Sequence, residues 1–591
     1  MCGICGELRF DGQDADLAAL ARMTARLIRR GPDHGGTFSD GSLGLGQRRL
    51  SIIDLSERAH QPLIDSALGV ALVFNGTLYN YRELRKTLQD LGFVFFSEGD
   101  TEVIAKAWRA WGKACVERFQ GMFAIALWDL QAHCLFLVRD RFGIKPLYWT
   151  RDARRLRFAS TPQALLAGGA VDRDLDPVAL HFIFTLHGVV PAPHTLLRGV
   201  RKLPPAEWLC IDAEGRTRSQ SYWRLEATRP IPPLDEHAWI EAIRERLIAA
   251  VKSHNAIADV PVGVLLSGGL DSSLLVALLV KAGIEDFQTF SIGFEDQPEE
   301  KGNEFEYSDP VAARYQTRHH RFLIPNREVL PRLPEAVAEM SEPMFGQDAV
   351  AFYLLAERVS REIKVVQSGQ GADEVFGGYF WYLRMQAETT GSPLERFRRH
   401  YFDRDHAEFL HLVTHPYQGP DHTGAYIGKR LAEPGAESFL DQVLRLDVTT
   451  LMVDDPVKRV DNMTMAFGLE ARVPFLDHPL VELAARCPPE LKLKEQGKFP
   501  LKAIARGLLP DAVIDRPKGY FPMPALKYVR GSFLDFMRGI LMSDTCRQRG
   551  LYQTDYLARL LAAPELHHTR IQGSKLWQLA LLELWLQTLP P

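Results

Sequence analysis

The pattern of hydrophobic and polar positions along the chain changes near residue 225. Before that point, short apolar runs are interrupted by Gly and Pro, and this spacing is typical of packed antiparallel strands. The runs are 43–46, 70–74, 124–128 and 135–138. Between them, 17–28 and 81–91 carry apolar residues at helical spacing. Residues 1–225 are therefore predicted to form an α+β domain with stacked antiparallel sheets.

A Pro-rich segment at 227–234 is typical of a linker, and the pattern beyond it is different. A long helical pattern begins with 237–253, and strand-like apolar runs then alternate with helices. These runs are 262–266, 289–294 and 364–367. Such alternation favours a parallel sheet with helices on both faces, and beyond about residue 380 the pattern is almost wholly helical. Residues 226–591 are predicted to form this second, α/β domain.

Composition excludes several classes of protein. At 591 residues the chain is too long for one hydrophobic core, which agrees with two large domains. A net charge of −4 gives no electrostatic reason to expect nucleic acid. Seven Cys, spread thinly, do not make a disulfide framework, so we expect a reducing, cytoplasmic location. The longest apolar stretch, 263–280, contains Asp271 and a Gly-Gly pair, so no membrane span is predicted.

The first candidate for chemistry is Cys2, in Met1-Cys2-Gly3-Ile4-Cys5-Gly6. If Met1 is removed, Cys2 carries a thiol together with a free α-amine. An α-amine with a pKa of about 8 can act as the base that activates the thiol of its own residue. A packed or redox cysteine is the alternative, because Cys2 and Cys5 also spell C-x-x-C.

The second candidate is the stretch 265–273, Leu-Leu-Ser-Gly-Gly-Leu-Asp-Ser-Ser, which follows a predicted strand and opens a predicted helix. Its glycines allow a tight turn whose N–H groups, with the helix N-terminus, can face an anion. The hydroxyls of Ser267, Ser272 and Ser273 add donors, and Asp271 can hold Mg²⁺ beside the phosphates. The spacing is not that of a Walker loop. The alternative is a Gly-rich turn without a ligand.

A third candidate, 368–374, is a glycine-bearing turn that follows the strand-like run 364–367. Ligands of open α/β sheets gather at the carboxyl ends of strands, so both turns are predicted to face one crevice. Asp271 and Asp373 would then share a magnesium–pyrophosphate unit. Alternatively, Asp373 and Glu374 form an acidic first turn of a helix and serve only its dipole.

These stretches, in this order, resemble the asparagine-synthetase type of glutamine-dependent amidotransferase over the whole chain. Further matching stretches are 30–33, 49–54, 75–80, 99–102, 120–124, 139–143 and 468–477. The resemblance implies a class II glutaminase domain with the N-terminal-nucleophile (Ntn) fold. It implies that an ATP-pyrophosphatase synthetase domain, similar to adenine nucleotide α-hydrolases, follows.

In the first domain the resemblance implies that Cys2 attacks the side-chain amide of glutamine and releases ammonia. The Asn75 amide and the Gly76 N–H would form the oxyanion hole. Each such donor typically stabilises the transition state of acyl transfer by about 3 kcal/mol. The α-carboxylate of glutamine would pair with Arg49 and its α-ammonium with Asp100. The implied glutamine-binding residues are Arg49, Ile53, Asn75, Gly76, Thr77 and Asp100. Thr77 is a departure, because asparagine synthetases often have Glu there.

In the second domain the resemblance implies ATP as co-substrate, with adenine near Leu265 and Ile292 and with Mg²⁺ as cofactor. An acceptor carboxylate would attack the α-phosphate, and ammonia would then displace AMP from the acyl-adenylate to leave an amide. Lys518 would neutralise charge as pyrophosphate departs; a solvated loop lysine is the alternative. The implied ATP-binding residues are Leu265, Ser267, Gly268, Gly269, Asp271, Ser272, Ser273, Ile292, Ser368 and Gly369, and the implied metal ligands are Asp271 and Asp373.

One residue bears on the identity of the acceptor. Asparagine synthetases place Glu at the third position of the 368–374 loop, where it is thought to take a proton as ammonia attacks, whereas this chain has Gln370. An amide cannot act as a base near neutral pH. Either another carboxylate such as Glu374 accepts the proton, or the acceptor is held differently. The aromatic stretch 379–382 suggests an acceptor larger than aspartate.

Among relatives, the chain is most similar to N-acetylglutaminylglutamine amidotransferases. The opening residues 1–12, the loop 367–374 and the overall length carry this likeness. It implies N-acetylglutaminylglutamine as acceptor, with an asparagine synthetase acting on aspartate as the alternative. A catalytically silent binding protein on the same fold is a further alternative, which Cys2, Asp271 and Asp373 disfavour. The expected partners are small molecules, without nucleic acid or membrane, and a homodimer is common in the family.

Overall fold

The computed structural model describes residues 2–296, 301–516 and 529–589. In the first half of the chain the strands alternate with a few helices and form two antiparallel sheets. The strands are β1 Cys2–Arg9, β2 His34–Asp40, β3 Leu43–Arg49, β4 Leu63–Asp65, β5 Val70–Leu78, β6 Gly121–Asp129, β7 Cys134–Arg139, β8 Tyr148–Arg151, β9 Arg155–Ala159, β10 Arg201–Lys202, β11 Glu207–Asp212 and β12 Thr217–Ser221.

The two sheets stack face to face, as the apolar runs predict. Their strand orders are β10-β8-β9-β1-β3-β2 and β12-β11-β7-β6-β5-β4. Alternate residues of β1 and β5, among them Ile4, Leu8, Ala71 and Val73, pack together in one apolar layer between the sheets. The opposite face of β1 carries Cys5, which packs in the larger core with the helix Leu17–Arg26.

The second half contains one parallel sheet, as its βα alternation predicts. Its strands are β13 Val262–Leu265, β14 Gln288–Phe294, β15 Arg318–Ile324, β16 Val365–Gln367 and β17 Glu470–Arg472, in the order β15-β14-β13-β16-β17. The strand β17 was not predicted, because three residues are too few to show a periodicity. It places the matching stretch 468–477 beside the 368–374 loop.

Helices account for most of the remaining described residues. In the first half they are Leu17–Arg26, Tyr81–Asp90, Asp100–Trp111, Cys115–Arg118, Pro162–Gly168 and Pro177–Thr185. In the second half they are Glu236–Ala256, Leu270–Lys281, Phe305–Arg314, Asn326–Ala338, Asp348–Val359, Ala372–Phe376, Phe380–Ala387, Pro393–Tyr401, His406–Leu412, His422–Leu431, Phe439–Leu446, Lys458–Met465, His478–Arg486, Pro489–Lys492, Phe499–Ala505, Asp511–Ile514, Gly531–Leu541, Asp544–Arg549, Thr554–Ala562 and Lys575–Thr588. Two π-helical segments, Asp447–Leu451 and Val453–Val457, join two of these helices.

Two further features concern cysteine and membranes. Cys134 on β7 and Cys210 on β11 form a disulfide, although they are 76 residues apart in sequence. The thinly spread cysteines did not predict it, because the pairing depends on antiparallel register between two strands. Within the described ranges, every helix is too short or too polar to cross a lipid bilayer.

Candidate active sites

Strand alternation brings three of the predicted glutaminase residues to one place. Cys2 and Arg49 are direct partners across β1 and β3. Both continue the alternation that buries Ile4 and Leu8 between the sheets, and Asn75 continues the same alternation on β5. All three therefore lie at one end of the apolar layer. Cys5 lies on the other face of β1, with its Sγ 3.3 Å from Thr24 Oγ1, so it is a packed residue and not a redox partner of Cys2.

The Asn75 amide is oriented by Cys2. The Cys2 backbone N–H donates to Asn75 Oδ1 over 3.1 Å. This fixes which way the amide faces and leaves Asn75 Nδ2 buried, with no hydrogen-bond partner among the described residues. A buried amide without a partner is costly unless a ligand satisfies it. The position beside a buried cysteine fits the predicted oxyanion-hole donor.

Gly76 is required for close packing next to this amide. A Cβ built on Gly76 would lie 2.1 Å from the carbonyl oxygen of Met122 on the neighbouring strand β6. Any other residue would push these two strands apart. The neighbour Thr77 donates through Oγ1 to Glu470 Oε1, 3.4 Å away on β17 of the other half. Glu470 also accepts from Arg472 Nε over 2.6 Å.

Arg49 and Asp100 are both buried and held by backbone groups. The Arg49 guanidinium donates to the carbonyl oxygens of Ile53 (3.1 Å) and Asp54 (2.5 Å), so Ile53 serves here to position Arg49. Asp100 opens the helix Asp100–Trp111 and accepts from the Leu78 N–H over 3.1 Å. Burial raises the pKa of Asp100 to about 6, with a contribution from the Glu470 charge.

The two glycine-bearing loops of the second half meet at the carboxyl edge of the parallel sheet, where they are predicted to face one crevice. β13 and β16 are parallel neighbours, so their carboxyl ends lie side by side. A Cβ built on Gly369 would lie 3.1 Å from Cβ of Asp271. In the first loop, Ser267 Oγ and Ser272 Oγ are 3.0 Å apart, and the Gly269 N–H donates to Ser267 Oγ over 3.3 Å. Both loops therefore form one surface of backbone N–H and hydroxyl groups.

Lys498 joins the two predicted metal ligands. Its Nζ lies 2.6 Å from Asp271 Oδ2 and 2.7 Å from Asp373 Oδ1. Although burial opposes the charge, both carboxylates raise the pKa of Lys498 above its ordinary value. Lys498 thus places a positive charge between two carboxylates, one from each of the loops that are predicted to bind phosphates.

Comparison with known proteins agrees with this arrangement. A family profile described as "Asparagine synthase" matches residues 242–587, and one described as "Glutamine amidotransferase domain" matches residues 1–223. The chain belongs to the asparagine synthase family. It is a glutamine-dependent carbon–nitrogen ligase with an Ntn glutaminase domain and a parallel-sheet synthetase domain, so the silent binding protein is not supported. ATP is the co-substrate expected of the family.

Two relatives cover almost the same length. The chain is 30% identical to the glutamine-hydrolysing asparagine synthetase 1 of Bacillus subtilis (strain 168), over 99% of this chain and 96% of that protein. It is 30% identical to asparagine synthetase 3 of the same organism, over 88% and 87%. Among solved structures, the B. subtilis glutamine phosphoribosylpyrophosphate amidotransferase matches at 15% identity. That match covers 49% of this chain and 75% of that one, with a TM-score of 0.29, and supports no conclusion.

Buried carboxylates lie near Gln370, the residue that the sequence connects with the identity of the acceptor. Gln370 lies in the turn before the helix Ala372–Phe376 and is half-buried. Glu374 is 2% exposed and accepts from the Tyr379 hydroxyl over 2.6 Å. The Tyr382 hydroxyl donates to Asp447 in the π-helical segment. Burial and the nearby Glu374 charge hold the pKa of Asp447 well above its ordinary value.

Sequence reasoning missed Lys498, Asp447 and Glu470. The need for a cation between two acidic loops was a signal for a lysine, but nothing distinguished Lys498 in its Gly-Lys turn from other lysines. Lys518, the predicted lysine, lies outside the described residues. Leu265 and Ile292, the predicted adenine neighbours, lie on the adjacent strands β13 and β14, and each is 7% exposed.

Proposed function

We propose that this protein transfers ammonia from glutamine to an acceptor carboxylate that ATP has activated as an acyl-adenylate. Glutamine and water would give glutamate and ammonia. ATP and the acceptor carboxylate would give acyl-AMP and pyrophosphate, and ammonia would displace AMP to form an amide. The support is that the described structure brings together one cluster of residues suited to each half-reaction, in a chain of this family.

In the first half-reaction, Cys2 of the processed chain is the nucleophile. The nitrogen that donates to Asn75 Oδ1 is then the α-amine, which Asn75 would hold beside the thiol it must deprotonate. Asn75 Nδ2 would donate to the oxyanion that forms on the glutamine amide carbon. Arg49 and Asp100 would bind the two charges of the amino acid.

In the second half-reaction, the loops beginning at Ser267 and Ser368 would bind the triphosphate. Asp271 and Asp373 both contact the Lys498 ammonium, so their carboxylates lie close enough to share one cation. This supports a magnesium site here, because carboxylate oxygens are ligands that Mg²⁺ prefers. When bound by these two residues, Mg²⁺ would supply charge neutralisation for the phosphates. Lys498, together with Lys518, would stabilise the negative charge of departing pyrophosphate.

The proposed acceptor is larger than aspartate, with N-acetylglutaminylglutamine as the specific candidate. The observation that carries this proposal is Gln370, which stands where asparagine synthetases have a basic Glu. A base is still required when ammonia attacks, because the nitrogen must lose a proton. Two buried carboxyl groups, Glu374 and Asp447, are available for that transfer. Each accepts a hydrogen bond from a tyrosine of the aromatic stretch, Tyr379 and Tyr382 respectively.

An acceptor screen tests this proposal. Purified protein is given glutamine, ATP and Mg²⁺, and pyrophosphate formation is measured with N-acetylglutaminylglutamine, aspartate or no acceptor. We expect the acetylated dipeptide to stimulate pyrophosphate formation and aspartate to leave it at the basal rate. Stimulation by aspartate alone would contradict the proposed acceptor.

The second candidate is an asparagine synthetase that acts on aspartate. Its support is that relatives spanning nearly the whole chain carry that name. Strong stimulation by aspartate, with asparagine as the product, would select it. The domain boundary near residue 225, a homodimer and a cytoplasmic location are proposed with either candidate.

A further inference from the structure

Three potential metal ligands that belong to neither predicted site lie together. His181 belongs to the helix Pro177–Thr185 in the first half, while His406 and Asp421 begin or precede helices of the second half. One ligand atom from each lies within 4.8 Å of the other two. His181 Nε2 is 3.0 Å from His406 Nδ1 and 3.9 Å from Asp421 Oδ1.

Hydrogen bonds around His181 fix its tautomer. The Thr185 hydroxyl donates its one proton to the His181 carbonyl oxygen over 2.6 Å. In the 2.7 Å contact between the hydroxyls of Thr185 and Thr423, the donor must therefore be Thr423. With its proton used, Thr423 Oγ1 can only accept from His181 Nδ1, 2.7 Å away. The proton of His181 is on Nδ1, and the lone pair of Nε2 faces His406 and Asp421.

This arrangement has the features of a protein metal site. A neutral imidazole whose second ring nitrogen donates to a fixed acceptor is the form in which histidine binds metals. Two imidazoles and one carboxylate suit Zn²⁺, whose tetrahedral ligands are roughly 3.3 Å apart at bond lengths of about 2.0 Å. Two of the three ligand-to-ligand distances, 3.0 and 3.9 Å, bracket that value, and the third is no longer than 4.8 Å.

Asp421 keeps a lone pair that can bind an ion. Asp421 Oδ2 pairs with Arg398 over 2.6 Å, and Asp421 Oδ1 accepts from the Gly424 N–H over 2.8 Å. A carboxylate oxygen has two lone pairs, so Oδ1 can still ligate. His181 is 1% exposed, whereas His406 and Asp421 are half-buried and give access from solvent.

We infer that His181 Nε2, His406 Nδ1 and Asp421 Oδ1 form a zinc site, with solvent as the fourth ligand, that ties the two halves of the chain together. On binding, the His406 proton that now bridges to His181 would move to Nε2 of His406 or to solvent. None of the three ligands belongs to the residues assigned to glutamine or ATP, so zinc here would join the two halves without entering either predicted site.

Zinc binding to the full-length protein tests this inference. The protein is stripped with a chelator, dialysed with ZnCl₂ in excess Mg²⁺, and its zinc content measured by mass spectrometry and titration calorimetry. We expect the wild-type protein to bind one equivalent that His406→Ala weakens at least about 10-fold. His411→Ala is the matched control, because His411 is exposed on the same helix. Zinc should raise the melting temperature of wild type and His411→Ala, and not that of His406→Ala.

A second variant decides the matter if His406→Ala does not fold. Asp421→Asn keeps an oxygen to accept from the Gly424 N–H and loses the anionic ligand, so it too should bind zinc at least about 10-fold more weakly. With Co²⁺ as a probe, the visible absorption of four-coordinate cobalt should appear in wild type and be lost in both ligand variants. Absence of zinc from wild type, or equal zinc binding by wild type and the folded ligand variants, would overturn the site.

Discussion

At the scale of residues, the glutaminase site depends on how single polar groups are held in an apolar layer. The Cys2 N–H orients Asn75, and backbone carbonyls orient Arg49. The sequence indicates Cys2 through its N-terminal motif and Asn75 through the family resemblance, and the structure places the two in contact. Glu470 could not, because it lies 393 residues from Thr77 in sequence and only the fold brings them together.

The role of Asn75 as an oxyanion donor can be isolated by a matched pair of variants. Asn75→Asp keeps an oxygen that accepts from Cys2 and loses the NH₂ donor, while Asn75→Ala loses both. Because the donor acts in the transition state, we expect both to lower the kcat of glutamine hydrolysis by roughly 100- to 1,000-fold. Amide synthesis with added ammonia should persist in both. Glutamine hydrolysis by Asn75→Asp within a few-fold of wild type would show that the donor is not used.

Asp100 predicts a pH dependence of glutamine use. Its pKa is raised to about 6, so its carboxyl group becomes neutral below that pH and no longer pairs with the α-ammonium of glutamine. We expect kcat/KM for glutamine to fall as the pH drops through about 6. If the rate of amide synthesis with ammonia as nitrogen donor falls over the same pH range, a group other than Asp100 is responsible for the fall.

The same shift predicts a stability change. A carboxyl group whose pKa is higher in the folded than in the unfolded state costs stability when it ionises. The free energy of unfolding therefore falls as the pH rises from about 4 to about 6, and the full cost is present above about pH 6. Asp100→Asn removes the buried charge and can still accept from the Leu78 N–H. We expect its free energy of unfolding at pH 7 to rise by roughly 3 kcal/mol, measured by urea titration, while glutamine binding is lost. A lower stability than wild type at pH 7 would contradict the assignment.

At the scale of elements, the parallel sheet explains how two loops about 100 residues apart form one site. Their strands could be predicted from apolar runs between helices, and the loops from their glycines. The short β17 and the π-helical segment that carries Asp447 could not, since neither leaves a periodic signal. Lys498 could not be predicted either, because its partners Asp271 and Asp373 come from two different loops that only the fold brings together.

Lys498 should be needed for pyrophosphate formation and not for glutamine hydrolysis. Lys498→Met removes the cation between Asp271 and Asp373, and we expect it to lower the rate of pyrophosphate release by roughly 100- to 1,000-fold. Because two carboxylates then repel each other, MgCl₂ should raise the melting temperature of Lys498→Met more than that of wild type. Lys502→Met, on the following helix, is the matched control. Equal magnesium effects in both variants would contradict the shared site.

At the scale of the whole molecule, buried ion pairs connect the two halves. Asp461 contacts Arg30 at 2.9 Å and Lys145 at 3.1 Å, both from the first half. The Arg30 Nε–H also donates to the Cys2 carbonyl oxygen over 3.3 Å. The strand that carries Cys2 is thus joined to the second half of the chain through one buried carboxylate, which the sequence did not indicate.

Removal of that carboxylate should uncouple the halves. Asp461→Asn leaves two buried cations without an anion, and we expect it to lower the free energy of unfolding by about 3–5 kcal/mol. It should also raise the amount of glutamate formed per amide product. The exposed pair of Asp33 and Lys364 (2.8 Å) joins the same halves, and Asp33→Asn should cost less than about 1 kcal/mol. Equal stability losses in the two variants would show that Asp461 has no special role.

In the proposed reaction, ammonia released at Cys2 is captured by an acid activated as its adenylate on the same chain. The most direct measurement supplies glutamine labelled with ¹⁵N in its side-chain amide, together with ATP and the acceptor found by the screen. We expect glutamate, AMP, pyrophosphate and a ¹⁵N-labelled amide in equal amounts. Formation of ADP and phosphate, or of glutamate without any labelled amide, would contradict it.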